Sequence, residues 1–246
     1  MAGESFLAGF HAVGARLRSA PESIRCVYLD FSRKDKRMAA MRDSLEKTGV
    51  KLVAADARRL SAMVGREIPH QGLVASVLPT ASVSLDMKTL LEKIDDKTLI
   101  LVLDGVTDPR NFGACLRSAD AAGATCVIVP KDRSAGMTPV TAKAAAGANE
   151  SVPVVRVVNL ARAITELKDA GVFVIGAAGE TDQTIYSFDQ KRAVAWVLGA
   201  EGEGLRELTR KKCDALAAIP LLGSVESLNV SVAAAVCLYE TVRQRR

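Results

Sequence analysis

Short apolar runs separated by helical stretches fill the chain from Thr98 onward, and they restrict the fold more than any other feature. The runs lie at residues 99–103, 126–129, 172–175, 194–198 and 216–219. They lack the alternation of a strand that has one face in water. Strands buried on both faces are typical of parallel sheets covered by helices. The sequence therefore predicts an α/β fold with a mostly parallel sheet.

The stretches between these runs have apolar residues at helical spacing. We expect helices at residues 111–122, 141–148, 160–170, 205–213 and 228–244. A dinucleotide-binding domain of this class would carry a G-x-G-x-x-G segment directly after its first strand. Here the first strand leads into Asp104-Gly105-Val106-Thr107-Asp108-Pro109 instead. This argues against classical NAD binding.

Residues 1–80 have a different pattern, in which short helices and strands alternate in a smaller α/β unit. We expect strands at 26–29, 51–54 and 72–78, and helices at 9–17, 35–48 and 58–64. Residues 81–97 are rich in Thr, Ser and mixed charges around one amphipathic piece, 85–94, and we interpret them as a linker. The predicted domains are therefore 1–80 and 98–246.

The positive charge of the chain is concentrated in the first domain. The whole chain has 33 Lys and Arg against 28 Asp and Glu, a net charge of +5. Residues 1–80 have 13 basic and 8 acidic side chains, which is also +5. A basic cluster, Arg33, Lys34, Lys36 and Arg37, lies at an expected strand-to-helix loop. These charges indicate a surface that faces a polyanion such as a nucleic acid, and an ordinary solvated surface is the alternative.

Composition excludes several other classes of protein. Apolar residues make up 49% and charged residues 25%, as in ordinary folded proteins. We find neither a membrane-spanning apolar run nor a signal peptide, and we expect a cytoplasmic protein. The cysteines are odd in number and scattered, which favours reduced thiols over a zinc site. They are Cys26, Cys115, Cys126, Cys213 and Cys237.

Three segments of unusual composition each follow the end of an expected strand, where α/β sheets bind ligands. Residues 104–119 begin DGVTDPRNFG, residues 198–205 read LGAEGEGL, and residues 219–231 read IPLLGSVESLNVS. In order and spacing they resemble the three motifs of the SpoU/TrmH branch of the SPOUT superfamily. Residues 70–72, 103–123, 129–134 and 242–245 further resemble the members that methylate a guanosine ribose in 23S rRNA.

The resemblance implies a fold, a reaction and partners. It implies an RNA-binding first domain similar to ribosomal protein L30e, and a second domain with a C-terminal trefoil knot. It implies methyl transfer from S-adenosylmethionine, without a metal, to a guanosine 2′-oxygen in the peptidyl-transferase region of 23S rRNA. The substrate is that rRNA or a large-subunit precursor particle. It also implies a homodimer in which the final helix and the knot pack across the interface, so that Arg117 can complete the site of the neighbouring subunit.

The resemblance further implies which residues form the site. The catalytic constellation is Asn111, Arg117, Glu201, Ser227 and Asn229, and the methyl donor is bound around Leu198, Gly199, Gly204, Ile219 and Leu228. Each catalytic residue also has an ordinary interpretation. Asn111 and Ser227 are possible helix caps, Asn229 a first-turn residue, Glu201 a solvated carboxylate and Arg117 a solvated or ion-paired arginine.

Some alternatives stay open at the level of sequence. Arg117 either accepts the ribose proton or stabilises the phosphate and the forming alkoxide, which demands less of a guanidinium. His11 and His70 lie outside the sheet domain, which argues against histidine acid–base catalysis; a local RNA contact or a capping role is one interpretation of each. The competing functions are ribose methylation of transfer RNA and a non-catalytic role in ribosome assembly.

Overall fold

The structure is a computed structural model that describes residues 5–65, 67–78 and 85–246. The chain divides into two compact units, Met1–Val83 and Ser84–Arg246. The division falls inside the interval 81–97 that we interpret as a linker. Among the described residues, no helix has both the length and the apolar character needed to cross a membrane.

The first unit has one mixed sheet with helices packed on it. Its elements are β1 Ser5–Ala8, α1 Phe10–Ser19, β2 Ile24–Leu29, α2 Lys36–Glu46, β3 Lys51–Ala54, α3 Ala57–Val64 and β4 Leu73–Val77. The strand order is β1-β4-β2-β3, in which β4 runs antiparallel to β1 and β2. Strand β1 is not predicted by the sequence, because its four residues become a strand only by pairing with β4.

The second unit is a six-stranded sheet with helices on both faces. Its elements are α4 Met87–Leu91, β5 Leu99–Asp104, α5 Pro109–Ala121, β6 Cys126–Pro130, α6 Pro139–Ala145, β7 Val154–Val157, α7 Leu160–Asp169, β8 Phe173–Ala177, β9 Val194–Gly199, α8 Glu207–Lys212, β10 Ala215–Ala217 and α9 Val230–Arg245. The strand order is β10-β8-β9-β5-β6-β7, and all neighbouring strands are parallel. The predicted α/β class is confirmed.

The central strand β5 shows why the apolar runs do not alternate with polar residues. Leu101 and Leu103 pack into a core cluster with helices α5 and α9, whereas Ile100 and Val102 pack into a second cluster with helix α7 on the other face. Every residue of β5 is buried. A strand covered on both faces needs apolar side chains at nearly every position.

Strand β7 is not predicted by the sequence. It reads Val-Val-Arg-Val, and Arg156 interrupts the apolar run that predicts the other strands. β7 lies at the edge of the sheet, so Arg156 is exposed and reaches the neighbouring loop. There its guanidinium donates to the carbonyl oxygen of Ala135 at 3.1 Å and to the hydroxyl of Ser134 at 3.3 Å.

The interpretation of residues 81–97 as a linker needs a correction. From Leu85 onward they belong to the second unit, where helix α4 packs against α7. Leu90 is buried, and Leu91 and Ile94 pack against the cluster on that face. The sequence shows the amphipathic piece but not the hydrophobic surface that it covers. Residues 81–84 lie outside the described part of the chain.

The sheet order determines where a ligand would bind. From β5 the chain proceeds to β6 and β7 on one side, then returns to place β9 and β8 on the other. The carboxyl ends of β5 and β9 therefore form a topological switch point, at which open α/β sheets have a crevice for ligands. Asp104 ends β5 and is in register with Gly199 at the end of β9.

Candidate active site

Polar side chains from three separate segments of the chain meet beside this switch point. The Asn111 amide donates to the Glu201 carboxylate at 3.1 Å. The Asn229 amide donates to the same carboxylate oxygen at 2.5 Å and to the side-chain oxygen of Asn111 at 3.0 Å. We call these three residues the polar trio. They come from the three sequence motifs and are separated by up to 118 positions along the chain.

The local structure explains how two of the trio are held. Asn111 is the third residue of α5 and does not cap it, because the side chain of Asp108 accepts from the backbone N–H of Arg110. Asn229 is itself the cap of α9, since its side-chain oxygen accepts from the backbone N–H and the hydroxyl of Ser231. The side-chain oxygen of Asn229 thus caps the final helix, while its amide nitrogen donates to the other two members of the trio.

Ser227 and Arg117 are not brought into this hydrogen-bond network. Ser227 is exposed and makes no hydrogen bond to any described residue, so it does not cap α9. Arg117 is exposed on α5 and has neither a hydrogen bond nor an ion pair within the described chain. It lies six residues after Asn111, which is about 9 Å along the helix and about 240° around it. A single subunit therefore leaves Arg117 away from the trio.

The glycine-rich segment after β9 turns back tightly on itself. The backbone N–H of Gly204 donates to the carbonyl of Ala200 at 2.9 Å. A Cβ atom at Gly199 would lie 2.0 Å from the carbonyl carbon and oxygen of Gly204. Gly202 and Gly204 have φ values of 81° and 66°, which disfavour residues with side chains. Glycine at these positions is thus required by the turn.

The residues predicted to bind the methyl donor lie at the same edge of the sheet. Leu198 is buried at the end of β9, and Gly199 follows it. Ile219 is half-buried just after β10 and packs against the core that contains Trp196. Leu228 is half-buried immediately before the trio residue Asn229. Apolar side chains beside accessible backbone are typical of a pocket for a nucleoside.

One feature of the site is missed by the sequence reasoning. Asp104, the first residue of the first motif, is fully buried and accepts from both the backbone N–H and the guanidinium of Arg206. The two residues are 102 positions apart, and neither belongs to a helical or strand pattern that predicts a contact. The signal in the sequence is an acidic residue at the end of an otherwise apolar strand.

Burial makes the one cysteine of the first motif unsuited to nucleophilic chemistry. Burial raises the pKa of the Cys115 thiol to about 12, and the charge of Glu201 contributes to the increase. That thiol stays protonated near neutral pH and is a poor nucleophile. Among the described residues, no three His, Cys, Asp or Glu side chains form a metal-binding group.

The first unit presents a second candidate surface around the basic cluster. The guanidinium of Arg37 lies 4.5 Å from the centre of the Phe10 ring, and that of Arg33 donates to the carbonyl of Gln71. Lys34 and Lys36 are exposed beside them. Fixed arginines next to free lysines can bind a phosphate backbone.

The two histidines differ in their surroundings. His70 accepts from the backbone N–H of Gly72 at 3.1 Å through Nδ1, and its Nε2 lies 3.1 Å from the Ser61 hydroxyl. It therefore has a local capping role. His11 lies 3.1 Å from the Arg37 guanidinium, within the basic surface.

Comparisons with known proteins settle the family. The family model described as "SpoU rRNA Methylase family" matches residues 98–239, and the model described as "RNA 2'-O ribose methyltransferase substrate binding" matches residues 6–81. The chain belongs to the SpoU rRNA methylase family. The resemblance inferred from the three motifs is confirmed.

Individual relatives of this SpoU methylase match over 96% or more of its length. The 23S rRNA (guanosine-2'-O-)-methyltransferase RlmB of Bordetella pertussis is 50% identical over 246 residues, all of both chains. That of Escherichia coli K12 is 48% identical, over 96% of this chain and 97% of the relative. Among solved structures, the SpoU methyltransferase AviRb from Streptomyces viridochromogenes in complex with AdoMet is 28% identical with a TM-score of 0.76, covering 99% of this chain and 91% of that one.

Proposed function

We propose that this SpoU methylase transfers a methyl group from S-adenosylmethionine to the ribose 2′-oxygen of a guanosine in the peptidyl-transferase region of 23S rRNA. The observation that carries the proposal is the polar trio, in which the motif residues Asn111, Glu201 and Asn229 converge at the switch point. Relatives near 50% identity over the full length are named for this reaction. The first unit matches the model of an RNA substrate-binding domain.

The residues present fit S-adenosylmethionine. When bound, that molecule supplies an electrophilic methyl group on a sulfonium sulfur. The turn at Gly199 leaves no space for a side chain and exposes backbone amides and carbonyls, which can recognise the edge of an adenine. Leu198, Ile219 and Leu228 supply apolar contacts beside it. AviRb, which has the same fold, binds AdoMet.

The chain contributes mainly positioning. The shared carboxylate oxygen of Glu201 orients both amides of the trio, and the Ser227 hydroxyl is free to bind a polar atom of the ribose or the donor. Methyl transfer needs the 2′-oxygen, the methyl carbon and the sulfur nearly in line, so fixed placement of both substrates lowers the barrier. A guanidinium offers five N–H donors in a planar fork and no acceptor, so we assign Arg117 to the phosphate and the forming alkoxide.

We also propose that the active form is a homodimer whose sites use Arg117 of the partner subunit. Two observations support this. Arg117 faces away from the trio of its own chain. Apolar side chains are exposed on α9 and on the loop before it, with Val232 and Tyr239 at 48% exposure and Leu222 at 100%. Such a surface needs an apolar partner.

Subunit mixing tests the shared site. Arg117→Ala homodimers should be inactive, and Asn229→Ala homodimers should retain about 1% of wild-type activity. Random mixing makes half of the dimers hybrids, each with one intact site, so activity should return to about one quarter of wild type. As the matched control, Arg117→Ala protein alone is taken through the same mixing procedure, and its activity should stay at the parental level. Activity that stays at the parental level in confirmed hybrids would contradict a shared site.

The reaction itself is tested with labelled S-adenosylmethionine and unmodified 23S rRNA, followed by mapping of the methylated nucleotide and of the methylated atom. We expect a single 2′-O-methylguanosine in the peptidyl-transferase region, absent with Arg117→Ala. Incorporation into transfer RNA alone would favour the tRNA substrate. No incorporation into free rRNA, precursor particles or tRNA would leave a non-catalytic assembly factor.

A further inference from the structure

We propose that the ion pair between Asp104 and Arg206 is a positioning device that holds the glycine loop, residues 199–206, in the shape that binds the methyl donor. The inference rests on the proposed function, which assigns the donor to this loop. It adds two residues that touch neither the donor nor the reacting atoms. Both act through the backbone of the loop.

The pair closes the loop at one point of the sheet. The loop begins at Gly199, which is in register with Asp104 across the β5–β9 ladder. It ends at Arg206, whose backbone N–H donates to the Asp104 carboxylate at 3.0 Å and whose Nε donates at 2.5 Å. The eight-residue loop therefore begins beside Asp104 in the sheet and ends at a residue bound to Asp104.

The burial of the two partners indicates which one depends on the other. The Asp104 side chain is 0% exposed, whereas the Arg206 side chain is 43% exposed. A buried carboxylate without a cation is strongly unfavourable, while a half-exposed guanidinium is readily solvated. Asp104 therefore holds Arg206, and with it the end of the loop, in one place.

The loop carries two functions that its position would control. Glu201, which orients the polar trio, lies two residues after Gly199. The backbone around Gly199 and Gly204 is assigned to the donor. Since no side chain fits at Gly199, the shape of the turn depends on the backbone and on its anchors. Loss of the anchor at Arg206 should therefore affect binding of the donor more than binding of the RNA.

The test measures the two ligands separately in the full-length protein. Calorimetry with S-adenosylmethionine should give a Kd raised about tenfold or more in Arg206→Ala. Filter binding should give an unchanged Kd for 23S rRNA. Arg206→Lys should restore part of the donor affinity, because it keeps a cationic donor without the planar fork. The KM for the donor should rise by a larger factor than kcat falls.

Arg210→Ala is the matched control, because the Arg210 side chain pairs with the exposed Glu180 at 2.8 Å, and its backbone hydrogen bond to the carbonyl of Arg206 is kept in alanine. Its donor affinity should equal that of wild type. If Arg206→Ala does not fold, as judged by thermal unfolding, Arg206→Gln replaces it and the same criterion applies.

The outcomes separate this inference from the proposed function. Wild-type protein that binds no S-adenosylmethionine and methylates no RNA would overturn the proposed function and the inference with it. Wild-type protein that binds the donor, together with a folded Arg206 variant whose donor Kd is within twofold of wild type, would overturn the positioning role alone.

Discussion

The substitution Gly199→Ala tests whether the shape of the glycine loop is fixed. The new Cβ would lie 2.0 Å from the carbonyl carbon and oxygen of Gly204 and 2.4 Å from the nitrogen of Leu205. Real Cβ atoms do not come within 3.0 Å of such neighbours, so the backbone must move by at least 1.0 Å. It cannot swing away freely, because Arg206 is bound to Asp104.

Two magnitudes follow from that displacement. Overpacking of this kind costs about 1–3 kcal/mol of folding free energy, and in a domain of this size each kcal/mol lowers Tm by about 2–4 °C. Misplacement of a binding element by about 1 Å can cost about 100-fold in activity. We therefore expect a lower Tm and a large loss of kcat/KM for S-adenosylmethionine, with rRNA binding retained.

Thermal unfolding and initial rates at saturating rRNA measure both effects. Gly179→Ala is the matched control, because a Cβ there meets nothing within 4 Å. Its Tm and kinetics should be those of wild type. A Gly199→Ala protein with unchanged Tm and unchanged KM would refute the reasoning, since it would show that the turn relaxes without cost.

Three further perturbations probe other parts of the molecule. Asn229→Ala removes a trio amide and the cap of α9, so we expect kcat to fall about 100-fold and the free energy of unfolding to fall by about 1 kcal/mol. Asn229→Asp keeps the capping oxygen but not the amide. Full activity in Asn229→Asp would contradict the role of the amide. Lys34→Ala combined with Lys36→Ala should lower the slope of log K for rRNA against log salt by up to about 2, whereas Lys47→Ala, at the far end of α2, should leave it unchanged. Hydrogen bonds from the Arg243 guanidinium, one turn further along α9, hold the pKa of Glu240 below its ordinary 4.5. Its contribution to stability is therefore complete above that pH and lost as pH falls through the lowered pKa, so Glu240→Gln should flatten the acid limb of a Tm–pH curve.

Local sequence patterns predict much of the fold because the buried strands need apolar residues on both faces. The five predicted strands of the second unit are found to within two residues at either end. Strands β1 and β7 and helix α4 are not predicted, because they are short and obtain their stability from elements distant in sequence. Leu90, for example, lies in a five-residue helix and is buried because that helix packs against α7.

The residues of the candidate site can be predicted from the sequence in part, and their contacts cannot. The order of the motifs identifies Asn111, Glu201 and Asn229 as candidate site residues. The hydrogen bonds among them form only in the folded protein, where the sheet brings the three motifs together. The alternative interpretation of Asn111 as a helix cap is wrong, because Asp108 caps that helix. The pair of Asp104 and Arg206 could not be predicted, since no local pattern links an acidic strand end to an arginine in a distant loop.

Helix α9 makes the geometry of the trio depend on the whole second unit. At its start, Asn229 contacts Glu201 in the loop after β9. Twelve residues later, or about 18 Å along the helix, the Thr241 hydroxyl accepts from the indole N–H of Trp196 within β9 at 2.9 Å. The helix is thus held to β9 near its C-terminal end and to the loop after β9 at its start. A change at the buried end, far from the trio, can therefore be transmitted to Asn229 without touching the site.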